Sequence, residues 1–165
     1  LSFQEYFVRE KCAPEIRELR FDGIDSARPT PEALAAITGA DLLVLAPSNP
    51  LVSIAPILGI NGITEAFRAA KAPKLAVSPF IAGKVVKGPA GRMMAALGMR
   101  ADALGVAERY ARLIDLLVID DQDADLRDPI AALGMRAECR PILMRDQADK
   151  QRLAGELLEL ARVTA

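Results

Sequence analysis

Apolar residues along the chain fall into two patterns. Short unbroken runs occur at 41–46 (DLLVLA), 74–79 (KLAVSP) and 115–119 (DLLVI), and such runs predict strands buried on both faces. The stretch 15–21 (EIRELRF) alternates polar and apolar, which predicts a one-faced strand, possibly at a sheet edge. A fifth strand is expected at 137–144. Between the strands the spacing turns helical. Phe3, Tyr6 and Phe7 mark a helix over 3–11 that Pro14 ends. Thr30-Pro31-Glu32 is a helix start, with an N-cap and then proline at the first position, and Gly39 closes that helix after 31–38. Further helices are expected at about 50–57, 62–71, 88–97, 102–114 and 124–133. A last helix at 147–163 carries Leu153, Leu157, Leu160 and Ala161 on one stripe.

Strand and helix alternate throughout, and no linker divides the chain. The expected fold is therefore one α/β domain over 1–165, a Rossmann-like, mostly parallel sheet flanked by helices. The heptapeptide AALGMRA occurs at 95–101 and 131–137. Its flanks differ, so it reads as two helices ending at Gly98 and Gly134 and not as a repeat architecture.

Composition narrows the function classes. The 165 residues carry a formal net charge of −1, which argues against broad electrostatic binding to nucleic acid. No apolar run reaches the eighteen or so residues of a membrane span. No leader pattern points to secretion, so the expected location is cytoplasmic. Cys12 and Cys139 are the only cysteines and form neither a disulfide framework nor a zinc site. Histidine is absent, which removes Ser–His and Cys–His catalysis and the usual zinc chemistry. The sequence opens at Leu1 and runs straight into a helical pattern. It reads as an internal segment of a longer protein.

In an open parallel sheet, ligands bind beyond the carboxyl ends of the strands. Two loops qualify. The first, PSNPLVS at 47–53, leaves strand 41–46 and starts a helix near Pro50. First-turn amides lack helical partners and face a positive dipole end. A phosphate could sit on those amides with Ser48, Asn49 and Ser53 around it. The alternative is that Ser48 or Asn49 only caps the helix. The second loop, SPFIAGKVVKGPAG at 78–91, follows strand 74–79 and supplies Lys84, Lys87 and Gly88. It lacks the P-loop order of residues, and it reads either as a phosphate loop or as a solvated loop with two surface lysines.

Other candidates read as structural. The acidic run DDQDADLRD at 120–128 holds five carboxylates but lacks the glycine and terminal glutamate of a calcium loop. It is expected to be a solvated turn capping the helix at 124, with Asp120 or Asp123 lining the cleft edge at most. Met93, Met94 and Met99 read as core. Arg109 and Tyr110 read as helix surface positions.

Four segments, FQEYFVREKC (3–12), LAPSNPLVSIAPILGINGI (45–63), SPFIAGKVVKGPAGRMM (78–94) and GVAERYARLIDLLVIDDQDAD (105–125), together resemble the 2-phospho-L-lactate transferase family of coenzyme F-420 biosynthesis. The resemblance runs in order along nearly the whole chain and implies that these residues are the C-terminal half of a larger domain. It implies a phosphotransferase that uses a GDP-linked donor carrying phospholactyl, phosphoenolpyruvyl or phosphoglyceryl. It implies transfer to the hydroxyl of the deazaflavin Fo, release of GMP, and Mg²⁺ as cofactor. Ser48, Asn49, Pro50 and Ser53 match the family's serine–asparagine–proline motif, and Lys84, Lys87 and Gly88 match its glycine–lysine loop. Ala82 stands where the family pattern has glycine, and Asn61 where proline is common.

The family's amino-terminal glycine-rich loop and its expected metal- and Fo-holding aspartates have no counterpart here. Catalytic residues and metal ligands are therefore expected outside these 165 residues, and the chain alone is expected not to turn over Fo. The expected partners are small molecules, not nucleic acid or membrane; a homodimer stays open. Two other readings remain: a nucleotide- or nucleotide-sugar-binding regulatory protein of the same fold, and an inactive fragment.

Overall fold

The structure, a computed structural model, describes residues 1–164. The first helical segment is short and wide, a π-helical turn at Glu5–Arg9. From there the chain runs irregularly to helix α1, Pro31–Thr38, which Thr30 caps by accepting from the Ala33 amide. Strand β1 (Leu43–Leu45) follows, then a π turn at Pro50–Ile54 continuing into α2 (Ala55–Leu58), then α3 (Ile63–Ala69). Strand β2 (Lys74–Val77) leads into a two-residue hairpin, β3 (Phe80–Ile81) and β4 (Lys84–Val85). Helices α4 (Ala90–Ala96) and α5 (Ala103–Tyr110) precede β5 (Leu116–Ile119). A 3₁₀ segment at Asp121–Leu126, α6 (Arg127–Ala131), β6 (Arg136–Cys139) and α7 (Gln147–Arg162) complete the order.

The main sheet is β1-β2-β5-β6, every pairing parallel. The α/β expectation holds. The strands follow chain order, so no topological switch point lies among the described strands. β1 is an edge strand only three residues long, and its Val44 is 40% exposed.

Two apolar layers sandwich the sheet. One face presents Leu45, Ala76, Leu117, Ile119 and Ala137 to Phe67, Met93, Met94, Val106, Tyr110 and Ile130. The other presents Leu75, Val77, Leu116 and Val118 to Leu153, Leu157 and Leu160 of α7. This arrangement explains why β2 and β5 read as continuous apolar runs: neighbouring residues point to opposite faces, and both faces are covered. The methionines of α4 are core, as expected. Burial pushes the Tyr110 phenol well above its ordinary range, so that side chain too is core and not a surface contact.

Two strand expectations need correction. Residues 15–21 form no strand. Ile16 and Leu19 lean on the core, but no neighbouring strand pairs with their backbone among the described residues. The strand expected at 137–144 stops at Cys139, because Pro141 has no amide to donate and the Ile142 amide goes to Asp120 Oδ2 at 3.2 Å. Several helices are also shorter than expected. The stretch 124–133 is a 3₁₀ turn followed by five α-helical residues, and 102–114 ends at Tyr110.

Candidate functional site

Parallel pairing puts the carboxyl ends of β1, β2, β5 and β6 at one edge of the sheet. The loops that leave them are the two candidate phosphate loops, the acidic run, and the Arg140–Pro141 turn.

In the first loop, Asn49 settles the choice left open by the sequence. Its Oδ1 accepts from the amides of Leu51 at 2.9 Å and Val52 at 3.4 Å. The amides of Ser53 and Ile54 donate to the Asn49 carbonyl, and Pro50 has no amide. The first-turn donors are therefore satisfied internally, which is the capping alternative. What the loop still offers is side-chain chemistry: Ser48 is half-buried, Ser53 is exposed, and Pro50 is fully buried as an anchor. The Asn49 amide nitrogen reaches Met93 Sδ at 3.6 Å, which ties this loop to α4.

The second loop is not open. It folds as the β3–β4 hairpin, pairing Phe80 with Val85 and Ile81 with Lys84. The Phe80 ring is completely buried and roots the hairpin in the core. Lys84 and Lys87 stand exposed. Gly88 has φ +82°, and a Cβ there would meet nothing within 4 Å, so its freedom serves the backbone turn into α4 and not a close approach.

The acidic run is the largest departure from expectation. Asp120 and Asp123 are 4% and 5% exposed, not solvated. Asp120 caps the 3₁₀ turn through the Gln122 amide at 3.1 Å and also accepts from Ile142. Asp123 accepts from the amides of Ala82 at 3.0 Å and Gly83 at 3.2 Å. Burial pushes the Asp123 carboxyl up from its ordinary value, while these two amides pull it back down. Both carboxylates brace loops of neighbouring strands. The sequence carries no sign of this, because the Ile142 amide lies 22 positions from Asp120 and the Ala82 and Gly83 amides lie 41 and 40 from Asp123.

A cleft of about 440 Å³ lies beside α4, lined by Phe3, Tyr6, Ile16, Arg17, Arg20 and Met93 among others. Arg92 Nη1 donates to the Cys12 carbonyl at 2.6 Å and so ties α4 to the turn after the first helical segment. Met93 both lines the cleft and touches Asn49, so the cleft adjoins the 47–53 loop. Among the described residues, no three His, Cys, Asp or Glu side chains are grouped so as to hold a metal ion. The residues present therefore offer no all-protein cage for Mg²⁺. No single helix is long and apolar enough to cross a membrane.

Comparison with known proteins adds a family match. The family described as 2-phospho-L-lactate transferase CofD matches residues 1–144. A 2-phospho-L-lactate transferase of Methanothermobacter thermautotrophicus is 40% identical over 158 residues, covering 96% of this chain and 50% of that protein. A phosphoenolpyruvate transferase of Kitasatospora aureofaciens is 40% identical over 162 residues, covering 98% of this chain and 50% of its own length. The chain thus spans about half the length of the curated relatives it matches. Among solved structures, a Bacillus halodurans protein of the UPF0052 family superposes with a TM-score of 0.51 at 19% identity, covering 77% of this chain and 46% of that one. At that identity the likeness speaks for the fold alone.

Proposed function

The chain belongs to the 2-phospho-L-lactate transferase CofD family, and from that premise we propose that it supplies the donor-phosphate side of a transferase site in coenzyme F-420 biosynthesis. The donor is a GDP-linked 2-phospho acid and the acceptor is the hydroxyl of Fo. In the step, the acceptor oxygen bonds to the phosphorus that carries the acid and gives up its proton to solvent, the phosphoanhydride bond to GMP breaks, and GMP leaves with the electron pair. The observation that carries this reading is the placement of Lys84 and Lys87 on a braced hairpin at the carboxyl end of β2, one strand from the Ser48–Asn49 turn.

The residues have distinct parts in this reading. Lys84 and Lys87 neutralise diphosphate charge, and Ser48 and Ser53 donate hydroxyl hydrogens to its oxygens. Asn49 and Pro50 shape the turn and do not bind. The cleft, with Phe3, Tyr6 and Ile16 in its lining, suits one end of a planar acceptor. Catalysis of this kind rests on positioning and charge neutralisation, consistent with a chain that has no histidine to serve as base.

Mg²⁺ would neutralise further diphosphate charge. The described residues hold no cluster of three His, Cys, Asp or Glu side chains for it. With relatives twice as long, the metal-holding and catalytic groups are proposed to come from outside these residues. A cytoplasmic location belongs to the same proposal. The acid on the donor stays open between the lactate and phosphoenolpyruvate types that the relatives' names give.

The test is calorimetric titration of the intact gene product with GDP and, separately, ADP. Binding of GDP in clear preference to ADP is expected. Equal affinity for both, or none for either, would remove the guanine-linked donor and favour a regulatory protein of another ligand class.

A further inference from the structure

The β3–β4 hairpin has two residues per strand, too few for a hairpin to be stable alone. Its turn is also costly. Ala82 (φ +48°) and Gly83 (φ +69°) are both left-handed, the geometry of a tight hairpin turn that normally takes asparagine or aspartate and then glycine. Alanine has no side chain to stabilise that conformation and carries a steric penalty there. Yet Lys84 follows this turn directly and Lys87 lies three residues further on. Something outside the hairpin must hold it.

Asp123 is that support. Its two carboxylate oxygens take the two turn amides one each, Oδ2 from Ala82 at 3.0 Å and Oδ1 from Gly83 at 3.2 Å. It comes from the exit of β5, whereas the hairpin leaves β2, the neighbouring strand. Asp123 is itself fixed: its amide donates to the Asp120 carbonyl at 3.0 Å, and Asp120 is tied through Ile142 to the exit of β6. A buried carboxylate with both oxygens occupied by backbone amides makes strong, directional hydrogen bonds.

We propose that Asp123 is a positioning residue that latches the Ala82–Gly83 turn and so fixes Lys84 and Lys87 for donor phosphate. This rests on the nucleotide reading above and assigns no chemical step to Asp123. Asparagine at 123 keeps the shape but turns an N–H toward an amide donor, so one hydrogen bond is lost and one donor is left facing another. The lysines keep their charge but lose their fixed place, and part of the binding energy then goes into ordering them.

The experiment uses the intact gene product and GDP. Asp123→Asn is expected to weaken GDP binding about tenfold, the equivalent of one charge-assisted hydrogen bond. Adding Asp123→Asn to the double variant Lys84→Ala/Lys87→Ala should cost less than about twofold more, because the latch acts through the two lysines. Ala82→Gly in the Asp123→Asn background should recover most of the affinity, since glycine takes φ +48° without the latch; a residue needed only for the general fold would not be rescued in this way. Amide exchange on the unmodified protein gives a readout that does not depend on any variant folding: the Ala82 and Gly83 amides should be protected. GDP binding by wild type with Asp123→Asn unaffected, fully additive losses, or unprotected turn amides would overturn the latch. No GDP binding by wild type would overturn the functional reading first, and with it the purpose assigned to Asp123.

Discussion

Replacing Lys87 by alanine should weaken GDP binding by roughly 10- to 150-fold, the loss of one charge-assisted contact of about 1.5–3 kcal/mol. The side chain is exposed and the hairpin is anchored through Phe80 and Asp123, not through the lysine. Thermal stability should therefore stay within about 0.5 kcal/mol of wild type. Ser48→Ala should weaken binding less, because a neutral donor to a phosphate oxygen is worth less than an ammonium. Calorimetry of the two variants reads this directly. Unchanged affinity in both would take the phosphate away from this edge of the sheet, whatever the family activity.

The largest stability effect is expected at Gly105. It sits buried in the first turn of α5, and its amide donates to Asp102 Oδ1, the N-cap, at 2.8 Å. A Cβ there would lie 2.8 Å from the carbonyl carbon of Arg100 and 2.9 Å from its Cβ, with the carbonyl oxygen closer still. Backbone cannot yield as a flexible side chain does. Gly105→Ala must push the 100–102 turn away from the helix and break the cap, so a loss of about 3 kcal/mol or more is expected. Gly155→Ala in the exposed middle of α7, where a Cβ meets nothing within 4 Å, should instead stabilise by about 0.5–1 kcal/mol. Denaturant unfolding of both variants separates the cases. A Gly105→Ala protein within 0.5 kcal/mol of wild type would contradict the packing described for α5.

Those two sites also show what a sequence can and cannot reveal. Strands β2 and β5 were legible because burial on both faces leaves a continuous apolar run. Helix α1 was legible because its cap and its closing glycine are local chemistry. The segment 15–21 misled because polar–apolar alternation states only that one side is buried. A strand also needs a partner's hydrogen bonds, and none is present among the described residues. The hairpin was missed for two reasons. Strands of two residues show no period, and the usual turn signal is absent with Ala82 in the asparagine or aspartate position. Asp123 was misjudged because a carboxylate in an acidic run is ordinarily solvated. Its burial depends on two amides that the chain brings back from about forty residues earlier.

The site was legible to a similar depth. Sequence placed both loops at strand carboxyl ends, and the fold puts them at one edge. It could not decide whether the first-turn amides after Asn49 were free; one side-chain oxygen, in contact with two of them, decides it. In the proposed function, phosphate recognition consequently rests on Lys84, Lys87 and the serine hydroxyls and not on backbone dipoles. That reliance makes binding more salt-sensitive than a backbone cradle would be, since exposed ammonium groups are screened.

The central claim is the transfer itself, and product analysis tests it most directly. The intact gene product would be incubated with Mg²⁺, Fo and a GDP-linked 2-phospho acid, and products and protein followed by mass spectrometry. The account predicts one GMP released for each phospho-acid-bearing Fo formed, the hydroxyl attacking directly, with no phospho-acyl adduct on any residue between Leu1 and Ala165. GMP release without modification of Fo, a trapped adduct on this chain, or no reaction by a protein shown to bind the donor would contradict it.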